Sequence, residues 1–259
     1  MDDELEMAER FFGFGRWDAP YWFIGPEPGG DNNPLRAKVW SEKFKKAELC
    51  DCNKFHKALA EAIRGEGGDS GKVEEVEKFF REPPKKPALQ KTWRKLMLLL
   101  EAYRPELIDL SDPHTYQRDS WGSVGVNQGK TCVIELSGLS ARNSAESSKR
   151  NKEINEECLR RRICVIRDRL QNLMQSSLKR PELVVVYGEA WQRDWEQAKL
   201  LWEQITGPGL VFNSAVRCGN TVFVFAYHPN ARGNKGDYWL KDLYWESLGT
   251  RAREVSNGS

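Results

Sequence analysis

Two polar side chains follow apolar runs of this sequence, at positions where catalytic residues are commonly found. Tyr21–Ile24 leads into Gly25-Pro-Glu27-Pro-Gly-Gly30, and Thr221–Tyr227 leads into His228-Pro-Asn-Ala-Arg232. An apolar run that stops at prolines and glycines is typical of a buried strand that ends in a loop. A carboxylate there can orient or deprotonate a water, and an imidazole can donate a hydrogen bond. Glu27 and His228 are therefore the candidate catalytic pair. The alternatives are a solvated turn glutamate and a packed core histidine.

The elements that must position these two loops can be read from hydrophobic periodicity. Further apolar runs at Thr131–Leu136 and Leu183–Tyr187 predict buried strands. Apolar side chains spaced by three and four residues predict packed helices in Leu89–Tyr103, Leu159–Leu173 and Trp191–Ile205. Because strands alternate with helices, we expect an α/β fold, a three-layer α/β/α sandwich with a central, mostly parallel sheet. Such sheets bind ligands at the carboxyl ends of their strands.

Four other segments carry local expectations. Pro34 predicts the start of a helical region that runs to about Ala62. The aromatic segment Phe11–Trp17 is expected to pack under the sheet, with a ligand-facing role as the alternative. Gly219-Asn220 predicts a hairpin between Leu210–Cys218 and the strand before His228. The tail from Arg251 to Ser259 is expected to fray after a final helix.

Composition limits the class of protein. With 259 residues, 39% of them hydrophobic, the chain can bury one good core, so we expect a single domain over residues 1–259. The acidic N-terminus lacks a signal pattern, and no apolar run reaches the roughly 18 residues of a membrane span, which predicts a cytoplasmic protein with no membrane contact. The six cysteines form no C-x-x-C pair, so we expect no metal and no cofactor.

Charge gives a weaker indication of a partner. The net charge of +2 does not by itself indicate nucleic acid, but the stretch Arg142–Arg180 holds 11 Lys and Arg against 5 Asp and Glu. A basic surface in this stretch would suit a nucleic-acid partner, and the alternative is a set of solvated helix faces.

Together, the two loops resemble the signature loops of the uracil-DNA glycosylase superfamily. In that superfamily the first loop reads G-x-(Asp or Asn)-P and the second H-P-S-x-x, and the resemblance here extends from Tyr21 to the last helix. It implies a monofunctional glycosylase that flips a pyrimidine out of DNA, hydrolyses its N-glycosidic bond and leaves an abasic site, since no nucleophilic lysine is indicated. Two departures stand out: Glu27 is one methylene longer than the usual acid or amide, and Asn230 replaces the usual serine.

The resemblance also implies roles for individual residues. Glu27 would stabilise the sugar and activate water, while His228 would donate to the O2 atom of the departing base. Arg232 matches the position that wedges into the vacated stack, and either Tyr116 or Trp121 is expected to stack on the base unless both are structural. Phosphate grips are expected at Gly29, Gly30, Ser137, Ser140 and Asn230.

Base preference is inferred from two positions. Gly29 stands where uracil-specific members carry a bulky tyrosine, so the space at C5 is open. Glu135 stands near the position where the superfamily carries an asparagine that recognises uracil. Its carboxylate would accept a hydrogen bond from the amino group of cytosine, unless it is paired with an arginine. We therefore expect a monomer that removes a 5-modified cytosine, such as the glucosylated hydroxymethyl form found in phage DNA, because the superfamily includes an anti-phage glycosylase of this kind.

Three alternatives remain open at this point. The first is a uracil-DNA glycosylase of base-excision repair, and the second is a non-catalytic nucleic-acid-binding protein on the same fold. The third is a nucleoside hydrolase, which would leave the basic stretch and Arg232 without a role.

Overall fold

The structure is a computed structural model that describes residues 3–25, 33–125, 129–138, 156–176, 179–188, 203, 213–229 and 241–258, with the side chains of 33, 156 and 157 excepted. Within these ranges the chain forms seven strands and eight helices. The strands are β1 (Gly13–Phe14), β2 (Tyr21–Gly25), β3 (Leu49–Cys50), β4 (Thr131–Glu135), β5 (Leu183–Tyr187), β6 (Ser214–Cys218) and β7 (Thr221–Ala226). The helices are α1 (Asp3–Arg10), α2 (Asn33–Phe44), α3 (Cys52–Gly65), α4 (Ser70–Glu77), α5 (Lys91–Tyr103), α6 (Pro113–Asp119), α7 (Glu156–Met174) and α8 (Asp242–Asn257).

All seven strands join one sheet, in the order β3-β1-β4-β2-β5-β7-β6. The four central strands β4, β2, β5 and β7 are mutually parallel, and the register pairs Gly25 with Glu135 and Tyr187 with Ala226. Two pairings at the sides of the sheet are antiparallel, β1 with β4 and β6 with β7. The predicted central, mostly parallel sheet is confirmed.

Strict alternation along the central strands divides the core into two clusters. Odd-numbered residues of β2, such as Phe23, pack with α2, α3, α5 and α8, whereas even-numbered ones, such as Trp22, pack with Ile163, Ile166 and Leu170 of α7. A strand that is buried on both faces must be apolar at every position, which explains the continuous apolar runs. The sheet with helices on both faces is the expected three-layer α/β/α sandwich.

The helical region expected from Pro34 to Ala62 is two helices with a strand between them. Lys45 and Lys46 have φ values of 51° and 57°, a left-handed conformation that ends α2. The chain then extends as β3 and pairs with β1, and Asp51 caps α3 by accepting from the backbone N–H of Lys54. Two strands of two residues each carry no periodicity, so neither could be predicted from the sequence.

Two further local expectations have clear outcomes. Phe11 and Phe14 are buried and stack around Phe55, which confirms that this aromatic segment packs rather than faces a ligand. The tail does not fray at Arg251: α8 continues to Asn257 because Ala252 is buried against α5. The hairpin around Gly219 is confirmed for its described strands. The helix expected at Trp191–Ile205 falls almost wholly outside the described residues.

Across the ranges listed above, no helix is long and apolar enough to cross a membrane.

Candidate functional site at the carboxyl edge of the sheet

The strand order identifies one edge of the sheet as the place for a site. The chain passes from β2 to β4 on one side and then crosses to β5 on the other, so the connection changes direction around β2. In open parallel sheets a crevice forms at this switch point, outside the carboxyl ends of the strands. Here β2 ends at Gly25 and β4 at Glu135, and β7 ends two residues before His228. Glu27, Gly29 and Gly30 follow Gly25 in sequence and lie outside the described residues.

Glu135, Tyr187 and His228 come together at this edge, on the face of the sheet that α2 and α3 cover. Tyr187 is the last residue of β5, and its ring centroid is 5.8 Å from that of His228. Burial and the nearby charge of Glu135 raise the pKa of Tyr187 well above its usual value, so the phenol stays neutral. Glu135 is itself buried, 5% exposed, on the strand next to Gly25.

Gly25 makes room for this cluster. A Cβ added to Gly25 would overlap the hydroxyl oxygen of Tyr187 and lie 2.5 Å from its Cζ atom. The phenol of Tyr187 therefore occupies the space that a side chain on β2 would fill. The first glycine of the Gly25-Pro-Glu27 loop is thus explained by packing at the site.

His228 is neutral in this environment. It is only partly exposed, and burial lowers the pKa of its imidazole to about 4. A neutral imidazole retains one N–H donor and one acceptor. It can therefore donate its N–H to a carbonyl oxygen on which negative charge develops, without carrying a positive charge.

Arg36 is a member of the site that the sequence did not reveal. It lies in the first turn of α2, directly after the loop that carries Glu27, and is 3% exposed. Its guanidinium carbon is 5.2 Å from the ring centroid of Phe55, and the nearby charge of Glu135 favours its charged form. Burial lowers the pKa of Arg36 to about 10, so it remains a cation at neutral pH. The arginine partner weighed for Glu135 is therefore present, as an electrostatic neighbour.

A second buried arginine fixes the backbone at the end of β4. The Arg162 side chain donates to the carbonyl oxygens of Leu136, Ala8 and Glu135 at 2.8, 2.9 and 2.7 Å. Its guanidinium also lies 4.4 Å from the ring centroid of Phe12. Because the carbonyl of Glu135 is held in this way, the carboxylate leaves the strand from a fixed position.

The two aromatic candidates for base stacking lie elsewhere. Trp121 is 1% exposed and packs on Phe23, in the middle of β2, with a centroid distance of 4.8 Å. The next residue, Gly122, donates its N–H to Thr131 at the start of β4, which places this turn toward the amino ends of the strands. Tyr116 lies on α6 and packs against the same core cluster as Phe23. These contacts place the turn that carries Trp121 away from the carboxyl edge, and the stacking of either ring on a base stays a prediction.

Trp121 instead borders a surface cavity of about 280 Å³ near the amino ends of the central strands. Asp51, Lys54, Arg118 and Ser123 also line this cavity.

The remaining candidates divide by position. Ser137 follows β4 by two residues and is partly exposed at the same edge, and the next residue, Gly138, packs against the backbone of Ala8. Ser140, Asn230 and Arg232 lie outside the described residues. Cys132 is a fully buried core residue, as expected. Among the residues described, no group of three or more His, Cys, Asp or Glu side chains is arranged to hold a metal ion.

Comparisons with known proteins give no match to this chain, whether by protein-family model, by curated protein or by solved structure.

Proposed function

We propose that this protein is a monofunctional DNA glycosylase that flips out a 5-modified cytosine of phage DNA, hydrolyses its N-glycosidic bond and leaves an abasic site. The observation that carries the proposal is the meeting of Glu135, Tyr187 and His228 at the edge where β2 ends in the Glu27 loop. The resemblance of the two loops to those of the uracil-DNA glycosylase superfamily supports the same conclusion. The proposal includes action in the cytoplasm, as a monomer.

The reaction needs groups on both sides of the bond that breaks. Positive charge develops on the sugar and negative charge on the base, so a carboxylate belongs near C1′ and a donor belongs near the base oxygen. Glu27 supplies the carboxylate and orients the attacking water. His228 donates to O2 of the base as a neutral imidazole, because burial keeps its pKa near 4. No cofactor takes part in this scheme.

DNA binding requires contacts that hold the phosphates while the nucleotide is extruded, at a cost of a few kcal/mol. Ser137, Ser140, Asn230, Gly29 and Gly30 are the proposed phosphate contacts. Arg232 is the residue proposed to enter the vacated stack.

The carboxylate of Glu135 favours cytosine over uracil as the base that the protein removes. Its carboxylate accepts hydrogen bonds, so it suits the amino group at N4 of cytosine and repels the O4 atom of uracil. It lies beside Gly25 on a neighbouring strand, at the same edge as His228. A base that meets His228 through O2 therefore presents the N4 end of the same Watson–Crick edge to a carboxylate.

The direct test is a search for abasic sites. Single- and double-stranded oligonucleotides and phage DNA that carry glucosylated hydroxymethylcytosine, uracil or unmodified bases are incubated with the protein and then heated in alkali. Strand cleavage only where the modified cytosine stood is the expected result.

Two other results would contradict the proposal. Cleavage of uracil DNA alone would assign the protein to uracil repair. Intact strands for every base, with retarded mobility of the DNA in a gel, would show a binding protein without glycosylase activity.

A further inference from the structure

Arg36 has unused hydrogen-bonding capacity at the candidate site. Its Nε and Nη2 atoms are buried and have no hydrogen-bond partner among the described residues. Buried donors are nearly always paired, so two adjacent orphaned donors on one cation call for an explanation. A counter-ion role beside Glu135 explains the charge of Arg36 but leaves both N–H groups unused.

The two orphaned atoms form one edge of the guanidinium. Nε–H and one Nη2–H point in parallel, as a fork that matches two neighbouring acceptors on a planar partner. The same edge of Arg16 binds both carboxylate oxygens of Asp18 in this protein, at 2.8 Å each. The ring of Phe55, whose centroid is 5.2 Å from the guanidinium carbon, packs against Arg36 from one side.

Two kinds of ligand offer paired acceptors, a phosphate and the edge of a base. The buried carboxylate of Glu135, which is close enough to interact electrostatically with Arg36, would repel a phosphate. Cytosine suits both residues, because its Watson–Crick edge carries the N4 amino donor followed by the N3 and O2 acceptors. This donor and acceptor order is the one that guanine complements in a base pair.

We propose that Arg36 and Glu135 together read the Watson–Crick edge of the extruded cytosine, Arg36 by donating to N3 and O2 and Glu135 by accepting from N4. This inference rests on the glycosylase function proposed above and adds a specificity-determining residue to it. O2 has two lone pairs, so it can accept from Arg36 and His228 at once. Uracil presents an N3–H to Arg36 and an O4 to Glu135, so both contacts become repulsive.

The arrangement also assists the departure of the base. Cytosine leaves less readily than uracil because its ring disperses negative charge less well. A fixed cation that donates to N3 and O2 stabilises the charge that develops there as the bond to C1′ breaks. Arg36 would therefore contribute to the rate on cytosine as well as to the choice of base.

The test compares two oligonucleotides that carry the same C5 substituent, one on cytosine and the other on uracil, so that only the Watson–Crick edge differs. Single-turnover release and gel binding are measured for the parent and for Arg36→Met and Arg36→Lys. We expect the cytosine-to-uracil ratio to fall about 10- to 100-fold in Arg36→Met. We also expect Arg36→Lys, which keeps the charge and loses the fork, to fall short of the parent ratio.

Arg16→Met is the matched control, because Arg16 uses the same guanidinium edge for Asp18 and follows Gly15, which lies against Thr131 at the amino end of β4. It should leave the ratio unchanged. An Arg36→Met variant that loses both activities equally, or an Arg36→Lys variant with the full parent ratio, would overturn the proposal.

A substrate analogue tests the same contact without altering the protein. In 3-deazacytosine the N3 acceptor is a C–H group, so its binding to the parent should be weaker, and Arg36→Met should weaken it less than it weakens the binding of cytosine, because only the contact with O2 is then lost. Equal binding of cytosine and 3-deazacytosine by the parent would also overturn the inference. Since binding is measured separately from release, a parent that binds selectively but releases no base would contradict the glycosylase function and leave the reading of the base supported.

Discussion

The phenol of Tyr187 lies over the backbone of Gly25, in the position where a side chain on β2 would stand. Gly25 begins the loop that carries Glu27, and Tyr187 touches His228, so this packing contact links the two loops of the candidate site. Its consequences can be measured.

Substituting Gly25 by alanine should destabilise the fold by about 1–3 kcal/mol, because Tyr187 is 3% exposed and cannot move aside without strain. Chemical denaturation followed by circular dichroism measures the change. Gly65→Ala is the control: it lies at the end of α3 with no atom within 4 Å of the added Cβ, and should be neutral or slightly stabilising. Equal stability of Gly25→Ala and the parent would show that the ring has another place to go.

Glu27→Gln should abolish base release and leave DNA binding nearly intact. Glutamine keeps the shape of the side chain but loses the charge that stabilises the transition state. Single-turnover release and gel retardation separate the two effects. Release within about tenfold of the parent would move the catalytic role to another acid, with Asp31 the next to test.

His228→Ala should slow the chemical step about 10²- to 10³-fold, the usual effect of losing one donor to a developing oxyanion. Because burial holds the pKa of His228 near 4, its protonation state should impose no change on the parent rate between pH 6 and 8. A tenfold fall per pH unit across that range would indicate that the imidazolium acts instead. His114→Gln is the control, since His114 lies on α6 and its imidazole contacts the backbone carbonyl of Pro87.

Stability should decrease as the pH falls from about 6.5 to about 4. Burial lowers the pKa values of His56 and His228 to about 4 in the folded state, whereas an unfolded histidine titrates near 6.5. The unfolded chain therefore binds more protons in this window, and the free energy of unfolding decreases with falling pH. His56→Gln should flatten the dependence measured by thermal denaturation.

Arg162→Met should cost about 3 kcal/mol or more, because it leaves the buried carbonyls of Ala8, Glu135 and Leu136 without their donors. Arg169→Met on the same helix is the matched comparison. Arg169 is exposed, pairs with Glu48 and lies 5.8 Å from the ring centroid of Trp17, so the cost should stay below about 1 kcal/mol. Similar losses for the two variants would argue against a structural role for Arg162.

Much of the architecture could be predicted from the sequence, because buried strands and helices leave apolar patterns in it. The central strands β2 and β5 are continuous apolar runs, and the apolar stripe from Trp93 to Tyr103 predicts α5. The break at Lys45 and Lys46 was not readable, since lysine is an ordinary helix former and its left-handed backbone here depends on tertiary contacts.

The sequence predicts those residues of the candidate site that stand at strand ends. It does not predict the residue whose position depends on how a helix packs. Glu135 and His228 follow from the sheet, because parallel strands present their carboxyl ends on one side. Tyr116 and Trp121 lie on a connection whose direction no local pattern specifies. Arg36 reads as a solvated charge in a helical first turn, and its burial over Phe55 appears only when α2 packs on α3.

The contact between α5 and α8 has a bearing on how this protein can diversify. A Cβ on Gly249 would lie 2.9 Å from Cβ of Ala102 and overlap the carbonyl of Leu99, so the two helix backbones interlock and cannot slide. Asp242, at the start of α8, is also tied to Arg94 and Lys95. The start of α8 is thus tied to α5 by charge as well as by backbone contact, so variation of the sequence that precedes α8 can change target preference without altering the packing of these two helices.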